Sequence, residues 1–208
     1  MPGIFYHKEK NTMENKLFSK FSFYDQLGYI LVGSIALLIT SLDIWLSWRW
    51  IPKIDGVDFV ILIVVAYFLG HLIQSLANLL IKEKRDNFSE QEKEILNIAR
   101  EKFDLKEKSD NEVYRFVNMI SLGRDFSGQV EAFNAYYSLY RGWLIVFAFQ
   151  SIFLFGYNIF AFNLTGLIFL VISIIVTVLL HLRMKRFYKY SREKTLQTFL
   201  IISKSEKL

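Results

Sequence analysis

Residues 143–182 read WLIVFAFQSIFLFGYNIFAFNLTGLIFLVISIIVTVLLHL, and none of these forty residues is Lys, Arg, Asp or Glu. A helix needs about 20 apolar residues to cross a hydrocarbon core of about 30 Å. The stretch GYNIFAFNL divides the segment into two lengths of that size, 143–162 and 164–182. Because unpaired backbone groups are not tolerated in lipid, the two lengths are predicted to form a transmembrane helical hairpin.

Two more apolar segments of similar length, 27–46 and 59–81, precede this hairpin. The chain is therefore predicted to be an all-α protein with four transmembrane helices. It contains no cysteine, which excludes disulfides and thiolate metal sites. Its two prolines, Pro2 and Pro52, lie outside the apolar segments, so no transmembrane helix should carry a proline kink.

The basic residues predict the orientation of the chain, because Lys and Arg concentrate on the cytoplasmic side of a membrane. The tail 1–26 holds four of them, the segment 82–142 holds eleven and the tail 183–208 holds eight. Only two lie between the first two apolar segments, and none lies between the last two. We therefore expect a multi-pass inner-membrane protein with both termini in the cytoplasm, an uncleaved first helix, and Trp45, Trp48 and Trp50 at the outer face.

The segment 82–142 is predicted to form a cytoplasmic helical subdomain. Ser89 begins a capping box, and Ser109 or Asp110 caps a second helix that ends near Gly123. A third helix should run into the apolar segment 143–162, and the amphipathic tail 183–208 should continue the fourth membrane helix. The two protrusions, each about 25 Å long, would form a four-helix bundle with the two loop helices.

Polar side chains within the apolar segments form the first candidate site, since such residues are costly in lipid. They either hold helices together by hydrogen bonds, line a hydrophilic path in one chain or an oligomer, or form a catalytic site. Asp43 is expected to reach the headgroup region, and Gly33 to lie at a depth similar to Gly70. The candidate residues are Tyr67, His71, Gln74, Ser75, Asn78, Gln150, Ser173 and Thr177.

A second candidate site is a cytoplasmic face for a soluble partner. Aromatic residues recur at helical spacing on both protrusions, which indicates either core packing or a docking surface. The charged residues assigned to this face are Arg115, Arg124, Glu131, Arg141, Lys185 and Arg186.

Motifs of known enzyme classes are missing. The sequence has no HExxH, no phosphate-binding Walker loop, no GxSxG and no GxGxxG, and its three histidines lack metal-ligand spacing. We therefore expect a protein that is not an enzyme, with no catalytic residue, no metal and no cofactor. Topology and lipid headgroups explain the basic charge, so direct nucleic-acid binding is not expected.

Four local patterns resemble small bacterial four-helix membrane proteins of antiviral defence loci, such as the membrane accessory proteins of type VI, RNA-targeting CRISPR systems. These patterns are YDQLGY at 24–29, LGHL at 69–72, EAFNA to YRG at 131–142 and RFY at 186–188. The resemblance implies a defence role, in which the protein modulates a partner nuclease or permeabilises the membrane. It transfers no functional residue, and the arginine–histidine RNase motif that some such accessories carry is absent here.

Three functions follow as hypotheses. The first is a defence accessory or pore that acts as a homo-oligomer, with the lipid bilayer and a soluble defence nuclease as partners. The second is a membrane-anchored scaffold or regulator that binds a soluble partner through the cytoplasmic bundle. The third is a small transporter or channel, although the sequence shows no inverted repeat with interrupted helices.

Overall fold

The structure is a computed structural model that describes residues 28–47, 56–82, 87–125 and 127–205. This part of the chain contains six helices and no strand. The predicted tail 1–26, the belt residues Trp48 and Trp50, and Phe126 lie outside the described residues. The helices are α1 (Gly28–Ser47), α2 (Gly56–Leu80), α3 (Glu90–Phe103), α4 (Asp110–Arg124), α5 (Gln129–Phe160) and α6 (Leu164–Ser205).

Four of the helices, α1, α2, α5 and α6, are long and apolar enough to cross a membrane, with 20, 25, 32 and 42 residues. Their outward surfaces carry large apolar side chains such as Phe68, Leu72 and Ile152, each more than 60% exposed. Water would penalise such a surface, whereas lipid would solvate it. The all-helical class and the four membrane-length helices predicted from the sequence are confirmed.

Helices α5 and α6 form the antiparallel hairpin that organises the protein. Tyr137 and Leu144 of α5 pack with Leu180 and Met184 of α6 in one buried cluster. At the turn, the Asn163 side-chain oxygen accepts a hydrogen bond of 2.9 Å from the Thr165 backbone N–H and caps α6. Both helices continue without a break beyond the apolar segment, as predicted.

The two continuations differ in length. Residues 129–142 of α5 extend about 21 Å beyond the apolar segment, and residues 183–205 of α6 extend about 34 Å. The expected length of 25 Å for each was therefore too long for α5 and too short for α6. The difference arises because α5 begins only after a separate connection to α4.

Helices α1 and α2 cross at two glycines. A Cβ added to Gly33 would lie 1.7 Å from the Ala66 carbonyl oxygen, and one added to Gly70 would lie 1.9 Å from the Tyr29 carbonyl oxygen. Each glycine therefore rests on the carbonyl four residues before the other glycine. Small residues allow this backbone approach, which supports interhelical Cα–H···O contacts. Gly33 was expected at a depth similar to Gly70. In the structure it lies opposite Ala66, one helical turn before Gly70.

Helix α1 also packs along α5 in a parallel direction. Val32 and Ile39 of α1 share a buried cluster with Val146 of α5. Further along, Leu46 packs with Leu154 of α5 and Leu170 of α6. Helix α5 is thus the central helix, in contact with α1, α2 and α6.

Helices α3 and α4 begin at the capping boxes formed by Ser89 and Ser109. Ser109, one of the two predicted candidates, is the cap of α4, and this helix ends at Arg124, one residue beyond the predicted Gly123. Leu96 of α3 and Val117 of α4 pack against Phe199 of α6. Helix α4 lies chiefly on α6, and α3 packs mainly on α4 with a smaller contact to α6, whereas the contact of α4 with α5 is small. The arrangement is thus centred on α6 rather than shared equally between the two protrusions.

The connection from α4 to α5 is fixed by Asp125. Its carboxylate accepts hydrogen bonds from the Ser127 hydroxyl at 2.6 Å and from the Val130 backbone N–H at 2.7 Å. Gly128 takes a positive φ of 67° at the start of α5, a conformation in which glycine is unstrained. Burial raises the pKa of Asp125, but these hydrogen bonds outweigh it and hold the pKa below its ordinary value.

We predict that Gly70→Ala destabilises the protein by about 1–3 kcal/mol, because the new methyl group would meet the Tyr29 backbone and force α1 and α2 apart. Gly156→Ala is the matched control, since a Cβ there meets nothing within 4 Å. Thermal unfolding in detergent would measure both variants. Equal stability of the two variants would contradict the close crossing.

Candidate functional site

The acidic residue Asp43 of α1 is paired with Gln150 of α5. The Gln150 side-chain nitrogen donates a hydrogen bond of 2.6 Å to the Asp43 carboxyl oxygen. Gln150 lies seven residues after Trp143 and ten before Phe160, so about 10 Å of helix separates it from the start of the apolar segment and about 15 Å from the end of α5. The sequence predicted that Asp43 reaches the headgroup region; the structure shows its carboxyl group paired with α5, and α1 ends near the level of Leu154.

A second polar contact joins α5 to α6 next to this pair. The hydroxyl oxygens of Ser151 and Ser173 lie 3.0 Å apart, and the Ser173 hydroxyl also donates to the Phe147 carbonyl at 3.1 Å. Thr177 donates to the Ser173 carbonyl within its own helix at 2.8 Å. In these places the polar residues connect helices or satisfy their own backbone, as expected for residues that hold membrane helices together.

The polar residues of α2 include one that is buried against α5 and others that are exposed. Gln74 is buried, and its side-chain nitrogen donates to the Ser138 carbonyl of α5 at 2.8 Å. The Gln74 side-chain oxygen is buried without a hydrogen-bond partner in the structure. Ser75 and Asn78 are exposed, and the Ser75 hydroxyl donates to the His71 carbonyl at 2.9 Å. Gln74 therefore provides a polar contact between α2 and the central helix.

His71 lies in an aromatic cluster that sequence reasoning missed. Its ring stacks on Tyr29 of α1 with ring centroids 3.7 Å apart, and Tyr67 packs edge-on at 4.6 Å. This cluster lies beside the Gly70–Tyr29 crossing. The sequence placed Tyr67 and His71 on one face correctly, but it carried no signal that Tyr29 would meet them.

The candidate residues of the cytoplasmic face are spread over three helices. Arg115 and Arg124 are exposed on α4, Lys185 and Arg186 are exposed on α6, and Glu131 and Arg141 are half-buried on α5. The Arg141 guanidinium lies 5.2 Å from the Tyr137 ring centroid, and that of Arg186 lies 5.3 Å from the Tyr190 ring centroid.

An apolar groove between α3, α4 and α6 is the more defined surface of this region. Its volume is about 510 Å³, and Lys102 and Arg124 lie at its rim. Met119, which is 72% exposed, forms one wall. The sequence predicted a four-helix bundle that includes α3 and α4 but gave no sign of this groove. The apolar lining consists of Phe103, Phe116, Met119, Ile120, Phe199 and Ile202.

An ion pair attaches α3 to α6. The Arg192 side chain donates to the Glu92 carboxylate at 2.7 Å and also lies over the Phe88 ring, 4.9 Å from its centroid. Burial raises the pKa of Glu92, but the hydrogen bonds and charge of Arg192, together with bonds from Ser89, outweigh it and hold the pKa below its ordinary value. Ser121 of α4 donates to the Thr195 carbonyl at 2.9 Å and attaches the second loop helix.

Within the described ranges, no three His, Asp or Glu side chains gather in a way that could hold a metal ion. No protein-family model matches the chain, and no curated protein or solved structure matches it significantly.

We predict that Gln150→Leu destabilises the protein by about 1–3 kcal/mol, because it removes the amide donor from a carboxyl group inside the apolar segment. The double variant Asp43→Leu with Gln150→Leu should be less destabilised, since no polar group then remains unpaired. Thr177→Val is the control, because its hydroxyl bonds only within α6. Unfolding in mixed micelles would measure the series, and a double variant worse than Gln150→Leu would contradict the pairing.

We also predict that Glu92→Gln destabilises the protein by about 1–3 kcal/mol at neutral pH. Because folding lowers the pKa of Glu92, its contribution is present above the ordinary pKa and is lost as the pH falls through the folded value. The gap in melting temperature between wild type and variant should therefore narrow as the pH falls below about 4. Glu90→Gln, at a side chain 91% exposed, should change little at any pH. A gap that stays constant down to pH 3 would contradict this account.

Proposed function

We propose that this protein is a regulator anchored in the bacterial inner membrane. The helices packed on α6 form a cytoplasmic binding region for a soluble partner. The observation that carries the proposal is the continuity of α6 from the apolar hairpin to the groove at its far end. A segment bound in that groove would contact Phe199 and Ile202, which lie on the same unbroken helix as Ser173.

The charge distribution supports the orientation. Arg183 follows the apolar segment of α6, and the described cationic residues of 87–142 and 183–205 lie on the side of the hairpin away from its turn. The positive-inside rule supports the cytoplasm as that side, and we therefore propose that α3, α4 and the end of α6 lie in the cytoplasm.

The chemistry of the groove indicates its ligand. Aromatic and aliphatic walls favour apolar side chains, and Lys102 and Arg124 at the rim favour acidic ones. An amphipathic helix with an acidic flank on a soluble protein satisfies both requirements.

The proposal is tested by placing a photo-crosslinking residue at Met119 or at Ile201 in native membranes. Both positions are exposed, at 72% and 70%, but only Met119 lines the groove. We expect one soluble protein to crosslink at position 119 and not at 201, and Met119→Glu to abolish that product while Ile201→Glu keeps it. The same crosslinked products at both positions, or no product at position 119, would contradict partner binding at the groove.

The cellular setting we propose is antiviral defence, with a defence nuclease as the soluble partner. Its support is the resemblance of YDQLGY, LGHL, EAFNA and RFY to defence-associated membrane accessories. A phage challenge tests it directly. Cells with the complete locus should lose protection when Met119→Glu is introduced and keep it with Ile201→Glu, whereas full protection by both variants would contradict this setting.

Membrane permeabilisation by a homo-oligomer is the second candidate. The Asp43–Gln150 pair favours it. A carboxyl group inside the apolar segment is energetically costly, and residues of this kind in membrane helices commonly serve a function. Reconstitution into dye-loaded vesicles tests it. Leakage together with crosslinked oligomers would support a pore, and a sealed vesicle containing monomers would contradict it.

A further inference from the structure

Two arginines of α6 are exposed where the helix leaves its apolar segment. Arg183 follows Leu182 directly, and Arg186 lies one turn further along. In the described part of the chain neither guanidinium is paired with a carboxylate. We propose that Arg183 and Arg186 bind the phosphate of an anionic phospholipid in the inner leaflet, an inference that rests on the membrane orientation proposed above.

Aromatic rings hold both guanidinium groups in place. The rings of Tyr140 and Phe187 stack at 5.1 Å, and the Arg183 guanidinium lies 5.9 Å and 6.0 Å from their centroids. The Arg186 Nε donates to the Tyr190 hydroxyl at 2.8 Å. These contacts use one of the five N–H donors of Arg186, so the remaining donors are available for a phosphate. Arginine binds phosphate through two parallel hydrogen bonds, and an arginine already held by rings loses less side-chain entropy on binding.

The surface above the arginines suits an acyl chain. Ile175, Leu179 and Leu182 are 53%, 56% and 58% exposed. Their spacing of four and three residues places them on one face of α6, and Arg183 and Arg186 continue that face. The face thus changes from apolar to cationic at one level. This change matches a phospholipid, in which apolar acyl chains are followed by an anionic phosphate.

A soluble protein partner fits this surface less well. A segment bound there would have to enter the hydrocarbon region to cover Leu179, whereas a lipid already occupies that depth. Juxtamembrane Lys and Arg residues attract anionic lipid, each contributing about fivefold to binding.

The test uses the purified full-length protein in nanodiscs of phosphatidylcholine that contain a minor fraction of phosphatidylglycerol. Native mass spectrometry then counts the lipids that remain bound to the protein after it is released from the nanodisc. We expect wild type to retain phosphatidylglycerol in preference to phosphatidylcholine, and Arg183→Gln with Arg186→Gln to lower this retention about 25-fold, as two contributions of about fivefold imply.

The matched control is Lys185→Gln with Lys189→Gln, which removes the same charge from the same turns. Lys185 is exposed on another face of α6, and Lys189 lies 3.6 Å from Glu193. We expect this control to lower the retention of phosphatidylglycerol by no more than about fivefold, the contribution of Lys185 alone, because Lys189 is already paired with Glu193. Arg183→Lys with Arg186→Lys keeps the charge without the planar donors and should fall between wild type and the glutamine pair.

Two results would overturn the site. One is a wild type without preference for phosphatidylglycerol, and the other is an equal loss in the arginine and lysine pairs, which would mean general charge attraction. Both results are measured on protein that has inserted into the nanodisc, whereas failure to insert would contradict the proposal that the hairpin spans a bilayer.

Discussion

The constraint on which the structure depends is the need to pair every backbone N–H and C=O of a long uncharged segment in a medium without water. A helix is the local solution, and two helices joined by a tight turn at Asn163 satisfy it for residues 143–182. The remaining elements attach to this hairpin. Helix α1 packs along α5, α2 reaches α5 through Gln74, and α3 and α4 dock on the polar half of α6.

The polar side chains are placed according to the same constraint. Asp43 meets Gln150, Ser151 meets Ser173, and Gln74 donates to a backbone carbonyl, so each contact joins two helices. Such contacts fix the relative positions of helices that lipid alone would not drive together. Because α6 bears both an interhelical serine and the wall of the groove, a movement at one end of this helix has a direct physical path to the other.

Much of the fold could be predicted from local sequence signals. The capping boxes at Ser89 and Ser109, the apolar lengths and the continuation of α5 and α6 all depend on residues close together in the chain. The contacts between distant residues could not be predicted. Periodicity gives the face of Asp43 but not the register of α1 against α5, and this register decides that the carboxyl group meets Gln150. Likewise, the apolar residues of α3 and α4 gave no sign that Met119 would remain outside the core and form one wall of a groove.

In the orientation that we propose, the hairpin crosses a membrane with its turn outside and both polar extensions inside. Because the chain lacks cysteine, single cysteines can report this without background labelling. Ala161→Cys at the turn, Ser127→Cys before α5 and Gln197→Cys on α6 are exposed positions for an impermeant maleimide. The account predicts labelling of position 161 in intact spheroplasts, and of 127 and 197 only after the membrane is permeabilised. Labelling of 127 or 197 in intact spheroplasts, or no protection of any site, would contradict it.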